Sequence, residues 1–207
     1  MKRGIFITLE GIDASGKTTQ FKRLVNYLKR RGYDVVSFRE PGGEDVSERI
    51  RKILLDNRFA LTREAELFLY LASRSQLVLN RIIPFLKDKK IIVCDRFSDS
   101  TLAYQGYGRG LSLKLVKKLN DFATNRLVPD LTILIDVPLK ESLKRAKDKK
   151  KDRLERSGIS FYQRVRGGFL EIARKEKTRV KMVDGIGGVE KTWDKVKAVV
   201  DEFLQID

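Results

Sequence analysis

A glycine-rich stretch near the N-terminus most constrains what this chain can fold into. Residues 11–18 read GIDASGKT, which matches the phosphate-binding pattern G-x-x-x-x-G-K-[ST]. An apolar run precedes it at 5–9, and residues 19–28 carry apolar side chains at helical spacing. Strand, glycine loop and helix is the order this motif requires, because inward backbone N–H groups and the helix N-terminus bind phosphate oxygens. We expect Lys17 to reach the β- and γ-phosphates and the Thr18 hydroxyl to hold Mg²⁺.

Length and composition predict one domain spanning residues 1–207, with 42% hydrophobic residues for a core. The one cysteine, Cys94, lies in an apolar run and is expected to be a small buried hydrophobe. That usage fits a reducing compartment, so a cytoplasmic protein is expected. The apolar run after the basic N-terminus stops at Glu10, too short for a signal peptide or a membrane span, and no membrane partner is expected.

The net charge of +16 has three explanations. It could serve nucleic-acid binding, a site for a polyanionic small molecule, or a charged, heat-tolerant surface. Basic residues are spread over most of the chain, and the sequence carries no aromatic–basic recognition module. A solvated surface explains much of the excess, and no nucleic-acid partner is expected. The chain has no histidine, which excludes histidine acids, bases and metal ligands.

The order of elements predicts an α/β fold of the P-loop NTPase type, a five-stranded parallel sheet flanked by helices with a short lid. Apolar runs predict strands near residues 5, 35, 92, 133 and 182. Their alternation with helical patterns favours right-handed crossovers. The predicted helices after the first cover residues 44–55, 63–89 (with Pro84 marking an irregularity near the end), 112–125, 139–148, 160–177 and 189–204. Ser98 is expected to cap a short helix, and 107–110 to form a flexible loop.

Charged residues follow two of the predicted strands. Arg39 ends the second strand, where open α/β sheets bind ligands, although taken alone it reads as a surface arginine before a turn. Asp95 and Arg96 end the third. Asp95 is expected to meet the Mg²⁺ held by Thr18, and Arg96 to face phosphate. A structural ion pair is the alternative for these two residues.

Two helical stretches carry residues suited to a planar base. Tyr70 and Arg74 are four apart and share a helix face. Spacing alone favours Tyr70 in the core and Arg74 exposed, since helical stripes are usually core. Thr101, Tyr104 and Gln105 lie three or four apart and can line one surface with a hydroxyl, a ring and an amide. A polar loop helix is the alternative there.

A run of charge interrupts the second half of the chain at residues 147–156 and ends in Ser157-Gly158. Such runs are usually solvated surface. Because this one is internal and precedes a new helix, a lid at about 147–158 is expected. Arg153 or Arg156 would then meet the transferring phosphoryl group.

Several stretches together resemble the thymidylate kinase family, over nearly the whole length. They are the phosphate loop with Asp13, Arg39-Glu40-Pro41-Gly42-Gly43, Tyr70 with Arg74, Asp95-Arg96, Ser100-Thr101 with Tyr104-Gln105-Gly106, Pro129-Asp130-Leu131-Thr132, and Asp152-Arg153-Leu154-Glu155. Tyr70 stands where the family often has a phenylalanine stacked on thymine. Ala14 stands where one branch has an arginine, so the chain looks like the bacterial-type branch, whose catalytic arginine comes from the lid.

The resemblance implies that ATP, with Mg²⁺, phosphorylates dTMP to dTDP in dTTP biosynthesis. It implies ATP contacts from Gly11, Ile12, Asp13, Ala14, Ser15, Gly16, Lys17, Thr18, Thr19 and Arg145, the last more weakly, like the 184–188 loop. It implies dTMP contacts from Asp13, Arg39, Tyr70, Arg74, Arg96, Ser100, Thr101, Tyr104 and Gln105. The implied catalytic residues are Lys17, Arg96, Arg153 and Asp13, with Thr18 and Asp95 toward the metal. The family is also generally homodimeric through its long helices.

Two other functions fit parts of the sequence. A kinase for another nucleotide or a small metabolite keeps the phosphate loop and changes the acceptor. A nucleotide switch or nucleic-acid-binding module is motivated by the loop and the charge. However, a GTP switch should carry an Asn/Thr-Lys-x-Asp motif, which is missing after the strand at 130–137.

Overall fold

A parallel sheet lies at the centre of the structure, a computed structural model that describes residues 4–147, 153–154 and 156–206. The strands are β1 (Ile5–Glu10), β2 (Val35–Arg39), β3 (Ile91–Asp95), β4 (Leu131–Asp136) and β5 (Val180–Asp184). Their order in the sheet is β2-β3-β1-β4-β5, and every pairing is parallel. The predicted five-stranded parallel sheet and the positions of its strands are therefore confirmed.

Helices cover both faces of this sheet. Their bounds are α1 (Lys17–Arg30), α2 (Asp45–Leu55), α3 (Arg63–Leu77), α4 (Ile83–Lys87), α5 (Ser98–Thr101), α6 (Leu113–Ala123), α7 (Leu139–Arg145), α8 (Ile159–Lys175) and α9 (Gly188–Leu204). Two π-helical segments, Val78–Ile82 and Leu102–Gly108, continue α3 and α5.

Alternate side chains of β1 point to opposite faces of the sheet and pack in different hydrophobic clusters. Ile7 and Leu9 belong to a buried cluster that includes α1 and α9, whereas Phe6 packs in a second cluster with α3, the first π segment and α4. A parallel strand inside a sheet is buried on both faces. The buried run of β3 agrees with this rule, and Cys94 is fully buried with a free thiol, as predicted.

The helix predicted for residues 63–89 is divided in the structure. A π-helical turn at Val78–Ile82 separates α3 from α4, and Pro84 stands in the first turn of α4. Proline lacks the N–H that an α-helix interior requires, and wider turns relieve that conflict. The predicted irregularity near Pro84 is thus confirmed.

Two local predictions between β3 and α6 are wrong. Phe97, not Ser98, is the N-cap of α5, and its backbone N–H is bound by the Glu10 carboxylate. The segment expected as a flexible loop from residue 107 is helical through Gly108. Gly108 lies so close to Phe161 and Val165 of α8 that a Cβ would come within 2.7 and 2.8 Å of them. Gly108 therefore allows the second π segment to pack closely against α8, and it does not form the flexible loop that the sequence suggested.

The predicted lid at about 147–158 lies in part outside the described residues, because 148–152 and 155 belong to the remainder of the chain. Helix α7 ends at Arg145 rather than near 148, and α8 begins at Ile159. Across the part that the structure describes, none of the helices is long and apolar enough to cross a membrane.

Adjacent glycines in α8 allow a matched test of this packing. A Cβ on Gly168 would lie 2.6 Å from the Tyr107 ring, whereas one on Gly167 would meet nothing within 4 Å. We expect Gly168→Ala to lower the free energy of unfolding by about 1–3 kcal/mol through overpacking. Gly167→Ala should raise it by up to about 1 kcal/mol, because alanine favours the helix. Urea unfolding of both variants measures the difference, and equal effects would contradict the proposed contact.

Candidate active site

The glycine loop connects the carboxyl end of β1 to the first turn of α1. Gly11 has φ +141°, and a Cβ there would lie 2.4 Å from the Ile135 carbonyl oxygen. Gly16 has φ +98° and is the N-cap of α1, with no side-chain cap on the helix. The N–H groups of Thr19 and Gln20 donate to the Gly16 carbonyl oxygen, whereas those of Lys17 and Thr18 precede the first turn and can bind an anion. Residues 13–20 line a cavity of about 780 Å³.

Lys17 begins α1 and is almost fully enclosed. Its side chain is 6% exposed, and Nζ donates to the Ile12 carbonyl oxygen at 3.1 Å. Burial, with the nearby positive charge of Arg96, lowers the pKa of Lys17 to about 8. An ammonium held in this way is poorly solvated, and anionic oxygens in the cavity would restore its preference for the charged form.

The predicted metal pair is brought together by the register of β1 and β3. Thr18 Oγ1 donates to Asp95 Oδ2 at 3.1 Å, across 77 residues of sequence. Hydroxyl and carboxylate oxygens are hard ligands of the kind Mg²⁺ takes, and this ion usually completes its shell with phosphates and water. The donor set therefore fits Mg²⁺ beside a bound polyphosphate. Among the described residues no group of three or more acidic or cysteine side chains could hold a metal alone.

Asp13 is the meeting point of three elements. Its carboxylate accepts from Arg96 Nη2 at 2.5 Å, from the Tyr104 hydroxyl at 2.9 Å and from the Tyr162 hydroxyl at 2.8 Å. Burial alone would raise the pKa of Asp13, but the charges of Arg96 and Lys17 and the tyrosine hydrogen bonds outweigh it, so the pKa is lowered. The carboxylate is ionised and fixed in the cavity wall.

Arg96 has the left-handed backbone conformation, with φ +74°, which is rare outside glycine. Its guanidinium donates to the Gly11 carbonyl oxygen and to Ser100 Oγ, besides Asp13. Buried Glu10 supports the same turn by accepting from Ser100 Oγ at 2.6 Å. Burial and the charge of Asp99 raise the pKa of Glu10 to about 7. Strained backbone held by several contacts is typical of functional sites.

The residues predicted for the acceptor line the same cavity, and we call this part of it the acceptor arm and the part at the phosphate loop the donor arm. Its lining includes Arg39, Tyr70, Arg74, Arg96, Ser100, Thr101, Tyr104 and Gln105. Arg39, at the end of β2, is exposed and pairs with Glu48 at 3.2 Å. Thr101, Tyr104 and Gln105 all line this cavity, so the prediction that they share one surface is confirmed.

Arg74 corrects the interpretation that spacing favoured. The side chain is 1% exposed, not on the surface, and Tyr70 is only partly buried. The guanidinium donates to Glu40, Thr101, Asn120 and the Phe97 carbonyl oxygen. These protein groups engage its N–H donors, so in this structure Arg74 holds Thr101 in place at the cavity wall.

Comparison with known proteins agrees with this geometry. Residues 9–196 match the family model described as thymidylate kinase. The thymidylate kinase of Kosmotoga olearia is 47% identical over 201 residues, covering 97% of this chain and 95% of the relative. That of Thermosipho africanus is 44% identical, covering 97% and 100%.

The chain belongs to the thymidylate kinase family. A crystal structure of thymidylate kinase from Ehrlichia chaffeensis has a TM-score of 0.79 and 38% identity, covering 96% of this chain and 98% of that one. The resemblance seen in the sequence motifs is thereby confirmed, together with the fold.

Of the residues predicted for the donor of a thymidylate kinase, Arg145 is well placed. It donates to the Ser15 carbonyl oxygen at 3.2 Å and to that of Gly185 at 3.0 Å. It thus connects the glycine loop to the loop at 184–188, which lines the same cavity. The guanidinium and the second loop are thus part of the cavity lining next to the phosphate loop.

Arg153 is not brought to the phosphate loop in this structure. Nε donates to the Leu54 carbonyl oxygen at 2.9 Å, and Nη2 pairs with Glu66 Oε2 at 2.7 Å. The side chain lines a second cavity of about 300 Å³, which Arg156 shares. Its neighbour Leu154 lines the main cavity instead.

Sequence reasoning missed three residues of the site. Tyr162 lies 149 residues from Asp13, whose carboxylate it contacts, and it belongs to none of the motifs recognised in the sequence. Glu10 ends an apolar strand, and Glu66 lies in the first turn of an amphipathic helix. The carboxylate at the end of an otherwise apolar strand was the one available signal, because a buried charge requires partners.

The pKa of Lys17 predicts how donor binding depends on pH. If Lys17 binds the phosphates of ATP, the phosphoryl donor of the family, as its motif predicts, its ammonium must be charged, so the Kd should be flat below about pH 8 and rise above it. The rise should approach about tenfold per pH unit, with proton uptake on binding. Calorimetry between pH 7 and 9.5 measures both quantities. Lys17→Arg is the control, since a guanidinium stays charged and should remove the step. A flat wild-type Kd up to pH 9.5 would show that Lys17 titrates elsewhere.

Proposed function

We propose that this chain phosphorylates dTMP to dTDP with ATP as donor, using the two arms of the main cavity. The observation that carries the assignment is the continuity of the cavity. The same walls contain the phosphate loop, 13–19, and the set with Arg39, Tyr70, Tyr104 and Gln105. Membership of the thymidylate kinase family supports the acceptor and the donor.

At the donor end, the residues act on the charge of the triphosphate. The open N–H groups at the start of α1 would bind the phosphate oxygens, and Lys17 would reach the β- and γ-phosphates. Thr18 and Asp95 would hold Mg²⁺, which when bound neutralises charge on the triphosphate. Arg145 would contact the nucleoside side, because it connects the glycine loop to the loop at 184–188.

At the acceptor end, Arg39 and Arg96 would bind the dTMP phosphate, with Ser100 beside them. Asp13, fixed by Arg96 and two tyrosines, would lie near the 3′-hydroxyl and the acceptor phosphate. Tyr104 would pack under the deoxyribose and leave no room for a 2′-hydroxyl. Tyr70 would stack on thymine, and Thr101, held by Arg74, and Gln105 would address the edge of the base.

The chemistry requires alignment more than acid–base catalysis. A phosphate monoester has a second pKa of about 6, so the attacking oxygen is already largely ionised at neutral pH. That oxygen forms a bond to the γ-phosphorus while the bond to the β-γ bridging oxygen breaks, and ADP leaves with the electron pair. Two anions must approach in line, so fixed positive groups supply most of the rate acceleration.

The function is tested by ADP release from ATP–Mg²⁺ with dTMP, dUMP, UMP, CMP, AMP, GMP or no acceptor. We expect the highest kcat/KM with dTMP and a low rate without acceptor. Preference for another acceptor would leave a P-loop kinase and remove the thymine assignments. Turnover independent of acceptor would point to the nucleotide-switch alternative.

In the same assay, Arg153→Ala is expected to lower kcat about a hundredfold or more, as for an arginine acting on transition-state charge. Arg153 would have to exchange Glu66 for the phosphoryl oxygens. Arg156→Ala, on the other arginine of the predicted lid, is the matched control. Near wild-type turnover in Arg153→Ala would remove this residue from the mechanism.

The homodimer is proposed on the face formed by α3 and α6. These helices pack against each other through Leu67, Leu71 and Val116. On their outer side Phe68 is 59% and Phe122 87% exposed. Large exposed apolar side chains favour a partner, and a second copy of the chain is the partner we propose.

Phe122→Asp should convert a dimer into a monomer, because the pairing would bury its charge. Light scattering at micromolar concentration measures the mass. Phe203→Asp, on a half-exposed aromatic of α9, is the control and should stay dimeric. A wild-type protein of monomer mass would contradict the proposal. The cytoplasmic location and the lack of a nucleic-acid partner stay predictions.

A further inference from the structure

Glu66 is a buried carboxylate behind the acceptor arm. It lies in the first turn of α3, and its side chain is 1% exposed. Oε1 accepts from Gln105 Nε2 at 3.0 Å and from Arg109 Nε at 3.0 Å. Oε2 accepts from Arg109 Nη2 at 3.0 Å and pairs with Arg153 Nη2 at 2.7 Å. One carboxylate thus joins a residue of the cavity wall to two arginines.

This carboxylate is ionised despite its burial. Burial would raise the pKa of Glu66, but the hydrogen bonds from Arg109 and Gln105 and the charges of both arginines outweigh it, so the pKa is lowered. An ionised carboxylate can only accept hydrogen bonds. Arg109 is itself held, with its guanidinium 4.5 Å from the centre of the Phe161 ring.

The orientation of the Gln105 amide follows from this charge. A glutamine side chain can turn its NH₂ or its oxygen toward a neighbour, and the choice is normally open. Beside Glu66 only the NH₂ gives a favourable contact, since two oxygens would repel each other. The amide oxygen of Gln105 must therefore point away from Glu66. Gln105 lines the main cavity, so an amide oxygen turned away from Glu66 would be available there as an acceptor for a ligand.

We propose that Glu66 is a specificity-determining residue, which fixes the Gln105 amide so that the cavity accepts a pyrimidine with N–H at ring position 3 and rejects one without it. Thymine and uracil carry a hydrogen at N3. Cytosine has a lone pair there, which would face the amide oxygen. The inference rests on the proposed function for the placement of the base, and it assigns a role to a residue that need not touch the nucleotide.

The size of the effect follows from what an unsuitable base leaves unpaired. Sites built to hydrogen-bond a substrate reject analogues that lack the group far more strongly than apolar pockets reject a missing methylene. Freedom of the amide to rotate would remove that penalty. We expect Glu66→Gln, whose NH₂ can donate to a reversed Gln105, to lower the dTMP:dCMP ratio of kcat/KM by about 10- to 100-fold.

The ratio is chosen because loss of the Arg153 contact changes the rate with every acceptor alike, and the ratio cancels that change.

A binding measurement is independent of turnover. Calorimetry with dTMP and dCMP should show strong discrimination by the wild type and weak discrimination by Glu66→Gln. Arg109→Lys is the matched control, because it keeps a positive charge beside Glu66 and leaves the Gln105 contact intact. Its ratio should equal that of the wild type.

Folding of each variant is checked by urea unfolding. If Glu66→Gln does not fold because an arginine is left unpaired, the double variant Glu66→Gln/Arg109→Gln serves the same test. An unchanged dTMP:dCMP ratio in the folded variant, or an equal loss in Arg109→Lys, would overturn the role of Glu66. A wild type without preference for dTMP would instead overturn the proposed acceptor, so the two failures are distinguishable.

Discussion

The ion pair between Asp13 and Arg96 holds the rest of the site together. It connects the phosphate loop after β1 to the turn after β3, and the two tyrosine hydroxyls add α8 and the second π segment. Each partner alone would be a poorly solvated charge, so neither can move without leaving the other as an unpaired charge. The positive φ of Arg96 is the local cost of this arrangement. The pair thereby keeps donor and acceptor arms in one fixed relation.

The features that could be predicted from the sequence are those whose signal is local. The glycine loop, the five apolar runs and the residues at strand ends each carry their signal within a few positions, and parallel pairing then brings Thr18 to Asp95 without further information. The observed helix bounds differ from the predicted ones by a few residues, because helix caps depend on contacts with other parts of the chain. Phe97 became the N-cap in place of Ser98 since buried Glu10 binds its N–H.

What could not be predicted depends on contacts distant in sequence. Arg74 looked like a surface residue by spacing, and its burial follows from Glu40, Thr101 and Asn120, which arrive from three other segments. Glu66 gave no sign of its position behind Gln105 for the same reason. Arg153 was predicted from its motif, and its contact with Glu66 belongs to packing that no motif encodes. Helical periodicity identifies a face, but partners decide whether a charge on that face is buried.

The buried thiol of Cys94 has a consequence for experiments on this chain. It lies in β3 beside the central strand, and burial raises its pKa well above the usual value. The thiolate is the nucleophile that attacks a thiol reagent, so Cys94 can react only after the sheet itself opens. As the sequence contains no other cysteine, the rate of thiol labelling reports global unfolding without an engineered probe. Ligands that bind the native state would lower that labelling rate in proportion to their occupancy.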